Sequence, residues 1–147
     1  RLDIRSWQLR TNMADRSIRD RPPPFIGPSA SIEDTFFHCG CTIKGRVARS
    51  ILFPGVTVEE GAVVEDSILF FDSTVLGGTE IRRAIADTGC VMSERCRIGD
   101  AGNDLAVIGM GTVIPEGVSI RGGVTVHPKL KADAFSKKEY SRGEVVQ

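Results

Sequence analysis

Three aliphatic series recur every 17 residues along this chain. Ile51, Ile68 and Ile85 form one, Val58, Val75 and Met92 a second, and Val47, Val64, Ile81 and Ile98 a third. The residues just before the first series recur with it, as Ser50-Ile51, Ser67-Ile68 and Ala84-Ile85. Three aliphatic positions per unit, with polar and glycine positions between them, match neither the helical period of 3.6 nor the strict alternation of a hairpin. They match a coil of three short strands that stacks on the next coil. The fold class expected is therefore all-β, a parallel β-helix with these aliphatics turned inward.

The pattern extends in both directions. Ile26 to Ser31 opens a hexad, and Ile32, Phe36, Ile43 and Val47 carry the coil forward. Phe36 to Ile51 spans 15 residues, so this end coil is two residues short. After Ile98 the stretch Asp100-Ala101-Gly102-Asn103-Asp104 has turn chemistry and reads as a loop that leaves the coil and returns. A clean six-residue period follows at Ile108, Ile114, Ile120 and Val126. The sum is about five to six coils, a prism ~25–30 Å long at ~4.8 Å per rung. Residues 26–128 form this β-helix domain. Residues 1–25, with a charged stretch and Pro22-Pro23-Pro24, read as a linker from an N-terminal catalytic domain absent from this chain. Within it, Trp7 to Asn12 reads as a short strand. Residues 129–147 read as a tail capping the open last rung, with a helix over Lys131 to Tyr140 and a short strand or docked segment at Val145-Val146.

The chain opens Arg1-Leu2-Asp3, and we read it as a piece of a longer protein. Nineteen basic residues balance nineteen acidic ones, so no global field points to nucleic acid or a membrane surface. No apolar run approaches the ~20 residues of a bilayer span. The spacing of Cys39, Cys41, Cys90 and Cys96 fits no paired zinc motif, so no metal site is expected. Three of them instead obey a rule of the repeat: the residue two before a coil aliphatic is small, as at Cys41, Val56, Ala62, Ser73, Thr79, Cys90 and Cys96. Buried free thiols suit that position, and reduced thiols suit the cytoplasm.

No phosphate loop, nucleophile elbow or metalloprotease motif is present, and no catalytic residue is assigned. His38 and His127 are weighed because hexapeptide-repeat acyltransferases use a His as general base, but neither lies in a loop that would bring it to a neighbour's coenzyme groove. The arginines are more informative. The 17-residue offset stacks Arg82 over Glu65, Arg83 over Asp66 and Arg97 over Glu80. One reading is a ladder of exposed ion pairs, each worth ~0–1 kcal/mol. The other is an effector site in which Arg82 and Arg83 clamp a phosphate-type anion.

Trp7-Gln8-Leu9-Arg10-Thr11-Asn12, the proline run at 22–24, Gly40-Cys41-Thr42-Ile43-Lys44-Gly45-Arg46-Val47 and Ser50-Ile51-Leu52 together resemble the C-terminal domain of the ADP-glucose pyrophosphorylase (glucose-1-phosphate adenylyltransferase) family. Val56 to Ala62 and Ile81-Arg82-Arg83-Ala84-Ile85-Ala86-Asp87 are similar to its later coils. The resemblance supplies the left hand of the β-helix of hexapeptide repeats. It implies a nucleotidyltransferase making ADP-glucose and pyrophosphate from ATP and glucose 1-phosphate, in glycogen or starch synthesis. It places Mg²⁺ and ATP in the N-terminal catalytic domain and no cofactor in this chain. It gives this chain regulation and subunit assembly, in homo- or hetero-oligomers that are tetramers in the family, with a phosphorylated metabolite as effector and Arg82 and Arg83 at the site. The alternatives are the β-helix of another sugar-1-phosphate nucleotidyltransferase and a hexapeptide-repeat acyltransferase.

Overall fold

The structure, a computed structural model, describes residues 20–147. The expected strand at Trp7 to Asn12 and most of the linker lie outside the described residues. Arg21 to Pro24 run beside the first coils, where the Pro22 carbonyl accepts the Gly40 N–H at 2.7 Å.

The described residues form a left-handed parallel β-helix of about seven turns. Every strand pairing is parallel, and each strand has two or three residues. Three faces result. The first stacks six strands, from Phe25–Ile26 through Thr42–Ile43 to Val113–Ile114. The second stacks seven, from Ser31–Glu33 to Glu139–Tyr140, and the third seven, from Phe36–Phe37 to Val145–Val146. The 17-residue offset is the pairing register itself: Val75 lies on Val58, Ile81 on Val64, and Ile85 on Ile68. The short first coil is also present, since Phe36 lies on Ile51 and Ile43 on Val58. Gly45 sits in that shortened turn, where an added Cβ would lie 2.4 Å from the Ala62 carbonyl oxygen. Only glycine fits so close a backbone approach.

The inward positions differ from expectation on one face. The Val58 and Val47 series are buried as read, and so are the hexads Ile108, Ile114, Ile120 and Val126. Ile51, Ile68 and Ile85, however, point outward and are only partly covered. Their neighbours Leu52, Leu69 and Ala86 fill the core instead. The reason is the pleat: adjacent strand residues face opposite sides, so a reading displaced by one residue reverses the face. The small-residue rule contained the correct answer, because Ser50 and Ser67 stand two before Leu52 and Leu69 and are themselves buried.

Those small positions hold the coils together. On the first and second faces each polar one donates to a carbonyl of the following coil. Ser73 Oγ donates to Asp87 at 2.8 Å, Thr79 Oγ1 to Ser93 at 2.5 Å, and Thr112 Oγ1 to His127 at 2.9 Å. The Cys41, Cys90 and Cys96 thiols do the same toward Phe53, Gly109 and Pro115, at 3.3, 3.2 and 3.1 Å. The three thiols are free and buried, and burial pushes their pKa upward, away from reactivity. On the third face Ser67 Oγ donates to the Glu65 carbonyl and accepts the Ala84 N–H, so a hydroxyl satisfies backbone where side chains are too short to pair.

The tail corrects the coil count. Residues 132–134 form one 3-10 turn in place of the expected helix over Lys131 to Tyr140. Glu139–Tyr140 pairs with Ser119–Ile120, and Val145–Val146 with Thr125–Val126. Residues 129–147 therefore add a further rung, with Tyr140 and Val146 buried in the core. The expectation of five to six coils stopped at Val126 because the hexad spacing is lost over the polar stretch 127–139.

Candidate functional site

Arginines and carboxylates collect on the outer surface of the second face. Arg82 stands on Glu65, and Arg97 on Glu80, as the repeat requires. Glu65 lies between two guanidiniums, Arg46 at 3.4 Å and Arg82 at 3.7 Å. Arg82 also approaches Glu80 at 3.9 Å, and Arg121 pairs with Glu139 at 2.9 Å. Of the ladder read from the sequence only the Arg82–Glu65 pair closes, and contacts of this kind on a solvated face are weak. Arg97 closes no ion pair within 4 Å among the described residues, despite its register over Glu80.

Arg83 departs from expectation. It turns the corner after the second face with φ +50°, and its Nη2 donates to the Asn103 carbonyl at 3.2 Å, while Nε is buried without a partner. Asp66, its expected partner, is held by Arg49 through two bonds of 2.8 and 3.0 Å. That hydrogen-bonded guanidinium lowers the Asp66 pKa. The corner column alternates Asp34, Arg49, Asp66 and Arg83, all in the left-handed region. Arg49 lies one coil below Asp66 and satisfies it first. Arg82 and Arg83 thus separate: Arg82 lies on the face, Arg83 braces the 100–104 loop.

That loop shapes a cleft of about 310 Å³ lined by Glu80, Arg82, Arg97, Gly99, Asp100, Ala101, Ser119 and Arg121. Ile98 pairs with Ile120 across the inserted residues, which carries Arg121 two rungs beyond Arg82, ~10 Å away at the backbone. Gly99 occupies the intervening rung. Its φ is +74°, and an added Cβ would collide with the Arg82 carbonyl oxygen. The missing side chain leaves the gap between the two guanidiniums open. Asp100 closes one wall; its carboxylate accepts the N–H groups of Gly102 at 2.8 Å and Gly122 at 3.2 Å, which lower its pKa. A second cleft of about 430 Å³ lies across the loop, bounded by Arg121, Arg142 and Asp104, with Arg142 and Asp104 paired at 2.8 Å.

Sequence reasoning singled out Arg82 and noted Arg97, but missed Arg121. The signal was available: stepping 17 residues from Arg82 gives Gly99, and allowing the five-residue insertion gives Arg121. The histidines do not converge. His38 meets Phe36 edge-on and stacks on Phe53, with ring centroids at 5.2 and 5.9 Å, and burial lowers its pKa. His127 is exposed near the other end of the prism. Among the described residues no three His, Cys, Asp or Glu side chains group as a metal site requires. None of their helices is long and apolar enough to cross a membrane.

The family model for the GlmU-like C-terminal hexapeptide matches residues 27–120. The chain belongs to this hexapeptide family. A glucose-1-phosphate adenylyltransferase of Acetivibrio thermocellus is 32% identical over 127 residues, covering 78% of this chain and 30% of that protein. A Bacillus mycoides protein of the same name is 33% identical over 99 residues, covering 63% of this chain and 26% of that protein. This hexapeptide chain therefore spans less than a third of the length of those curated relatives. Among solved structures, a hexapeptide transferase family protein from Anaplasma phagocytophilum superposes with TM-score 0.55 at 15% identity, over 87% of this chain and 75% of that one, a likeness of fold alone.

Proposed function

We propose that this chain is the regulatory and subunit-assembly domain of a glucose-1-phosphate adenylyltransferase, acting in the cytoplasm in glycogen or starch synthesis. The observation that carries this reading is the likeness to relatives of that name over most of this chain and under a third of theirs. ATP, Mg²⁺ and nucleotidyl transfer belong, on this reading, to an N-terminal catalytic domain that is the chain's own partner. The test is direct: the 147-residue chain forms no ADP-glucose from ATP, Mg²⁺ and glucose 1-phosphate, and product formation by it overturns the assignment.

The regulatory part of the proposal rests on the cleft. Arg82 and Arg121 flank a gap opened by Gly99, with Arg97 beside it and in no ion pair among the described residues. Two planar guanidiniums ~10 Å apart at their backbones suit an anion held from both sides. Glu80 and Asp100 keep the cleft mixed in charge, which favours a phosphorylated metabolite with hydroxyls over a bare anion. Arg83 supports the loop wall from around the corner. In the full-length enzyme, Arg82→Ala and Arg97→Ala shift the half-effective concentration of a phosphorylated effector several-fold without changing activity in its absence. An unchanged effector response leaves these arginines as ladder residues.

A further inference from the structure

Two columns of residues run side by side where the second face turns its corner. In one, Arg82, Gly99, Arg121 and Ser141 stand on successive rungs; in the next, Arg83, Asp100, Gly122 and Arg142 do. Each column loses a side chain at a glycine. Gly99 leaves a gap between two guanidiniums, which suits an anion. Gly122 leaves one between a carboxylate, Asp100, and a guanidinium, Arg142, two rungs or ~10 Å apart at the backbone. No side chain can stand at this position, because an added Cβ would lie 2.7 Å from the Asp104 carbonyl oxygen. The cleft of about 430 Å³ opens over Gly122. Its two flanking charges do not neutralise each other. The Asp100 carboxylate accepts the Gly102 and Gly122 N–H groups and closes no ion pair within 4 Å among the described residues. Two accepted bonds leave a carboxylate with capacity for more. Arg142 meets Asp104 through Nε at 2.8 Å, which leaves the Nη end of its fork to the cleft. Arg121, at the rim, is taken by Glu139 at 2.9 Å.

We infer that this cleft binds a free α-amino acid as its dipolar ion. Asp100, Asp104, Arg121 and Arg142 make the lining neutral in sum, yet charge is separated across it, negative at Asp100 and positive at Arg142. A bare anion meets two carboxylates there, and an organic cation meets two guanidiniums. A ligand carrying both charges finds each one opposed. Its ammonium donates to Asp100, and its carboxylate lies in the open fork of Arg142, the geometry in which a guanidinium holds a carboxylate best. Ser141 and Asn103 line the rest and bond to their neighbours through backbone atoms, so the hydroxyl and the amide remain for the ligand. These polar groups, with Arg121 at the rim, favour a polar side chain such as that of glutamine. The inference is independent of the anion reading of the neighbouring cleft, from which the 100–104 loop separates this one.

The Gly102 and Gly122 amides report on the site, because Asp100 holds both N–H groups. L-Glutamine titrated into the isotope-labelled 147-residue chain is expected to shift their nuclear magnetic resonances, with the millimolar Kd of a cleft open to water. N-acetylglutamine lacks the ammonium and glutamine α-amide lacks the carboxylate; each binds about tenfold more weakly. Arg142→Gln weakens glutamine binding by a similar factor and leaves the melting temperature unchanged, since the Arg142 side chain is 78% exposed. Equal binding of either analogue overturns the dipolar ion as ligand, and this comparison needs no variant. Glutamine binding untouched by Arg142→Gln overturns the assigned carboxylate partner. Shifts of the two glycines by inorganic phosphate or by maltotriose, with none by glutamine, overturn the α-amino acid and give the cleft to an anion or a neutral polyol. No shift by any of these probes overturns the site itself.

Discussion

The second and third faces are each seven short parallel strands around one core, yet their outer surfaces are opposites. Arg46, Glu65, Glu80, Arg82, Arg97 and Arg121 cover one; Ile51, Ile68, Ile85 and Val107 cover the other. Inside, the two are equivalent: Val64 and Leu69, or Ile81 and Ala86, are equally buried. In this fold the inward residues specify the prism, while the outward residues are left for function.

The comparison of inside with outside gives the largest expected effect. Leu69→Ala removes a fully buried side chain and destabilises by ~2–5 kcal/mol, whereas Ile68→Ala, one residue away and outward, costs less than about 1 kcal/mol. Chemical denaturation of the two variants measures the contrast, and equal losses would mean that the pleat is misassigned. Next is the link between coils. Thr79→Val orphans the Ser93 carbonyl and the Cys96 N–H and costs ~1–3 kcal/mol, while Cys90→Ser, which keeps a donor at the same position, stays within about 1 kcal/mol of wild type. A Cys90→Ser loss matching that of Thr79→Val would show that the thiol packs and does not bond.

The ladder comes third. Arg46→Ala on the second face changes stability by no more than ~1 kcal/mol, and high salt removes what there is. The smallest effect is in pH. Asp66 and Asp100 have folded pKa values below the usual carboxylate value, so their stabilisation is fully present above that usual value and is lost as pH falls through the lowered ones. Melting temperatures should be flat from neutral pH down to about 5 and then decline at acid pH, and Asp100→Asn should flatten part of that decline. A decline that begins at neutral pH would point to histidine.

Much of this was legible in the residues. The period of 17, the short first coil, the loop at 100–104 and the small positions at Cys41, Cys90 and Cys96 all appear in the structure where the sequence places them. A stacked fold allows this, because each residue contacts its own repeat one rung away and spacing translates directly into register. Two things were hidden. Ile51, Ile68 and Ile85 looked like core because periodicity finds a column without telling which side of the strand it occupies. Residues 127–140 looked like a tail because the last coil gives up its hexads; Tyr140 and Val146 are buried, with Leu130 and Phe135 packed partly against the core.

The arginines show the same limit. The sequence by itself put Arg82 over Glu65 and brought basic residues to one face. Only the tertiary structure sent Arg83 around the corner to Asn103, gave Asp66 to Arg49, and opened the gap at Gly99 that places Arg121 opposite Arg82. Register is a property of the repeat, and the repeat is written in the chain. Side-chain direction depends on the pleat, on left-handed corners and on which neighbour satisfies a charge first, and those are decided only when the coils stack.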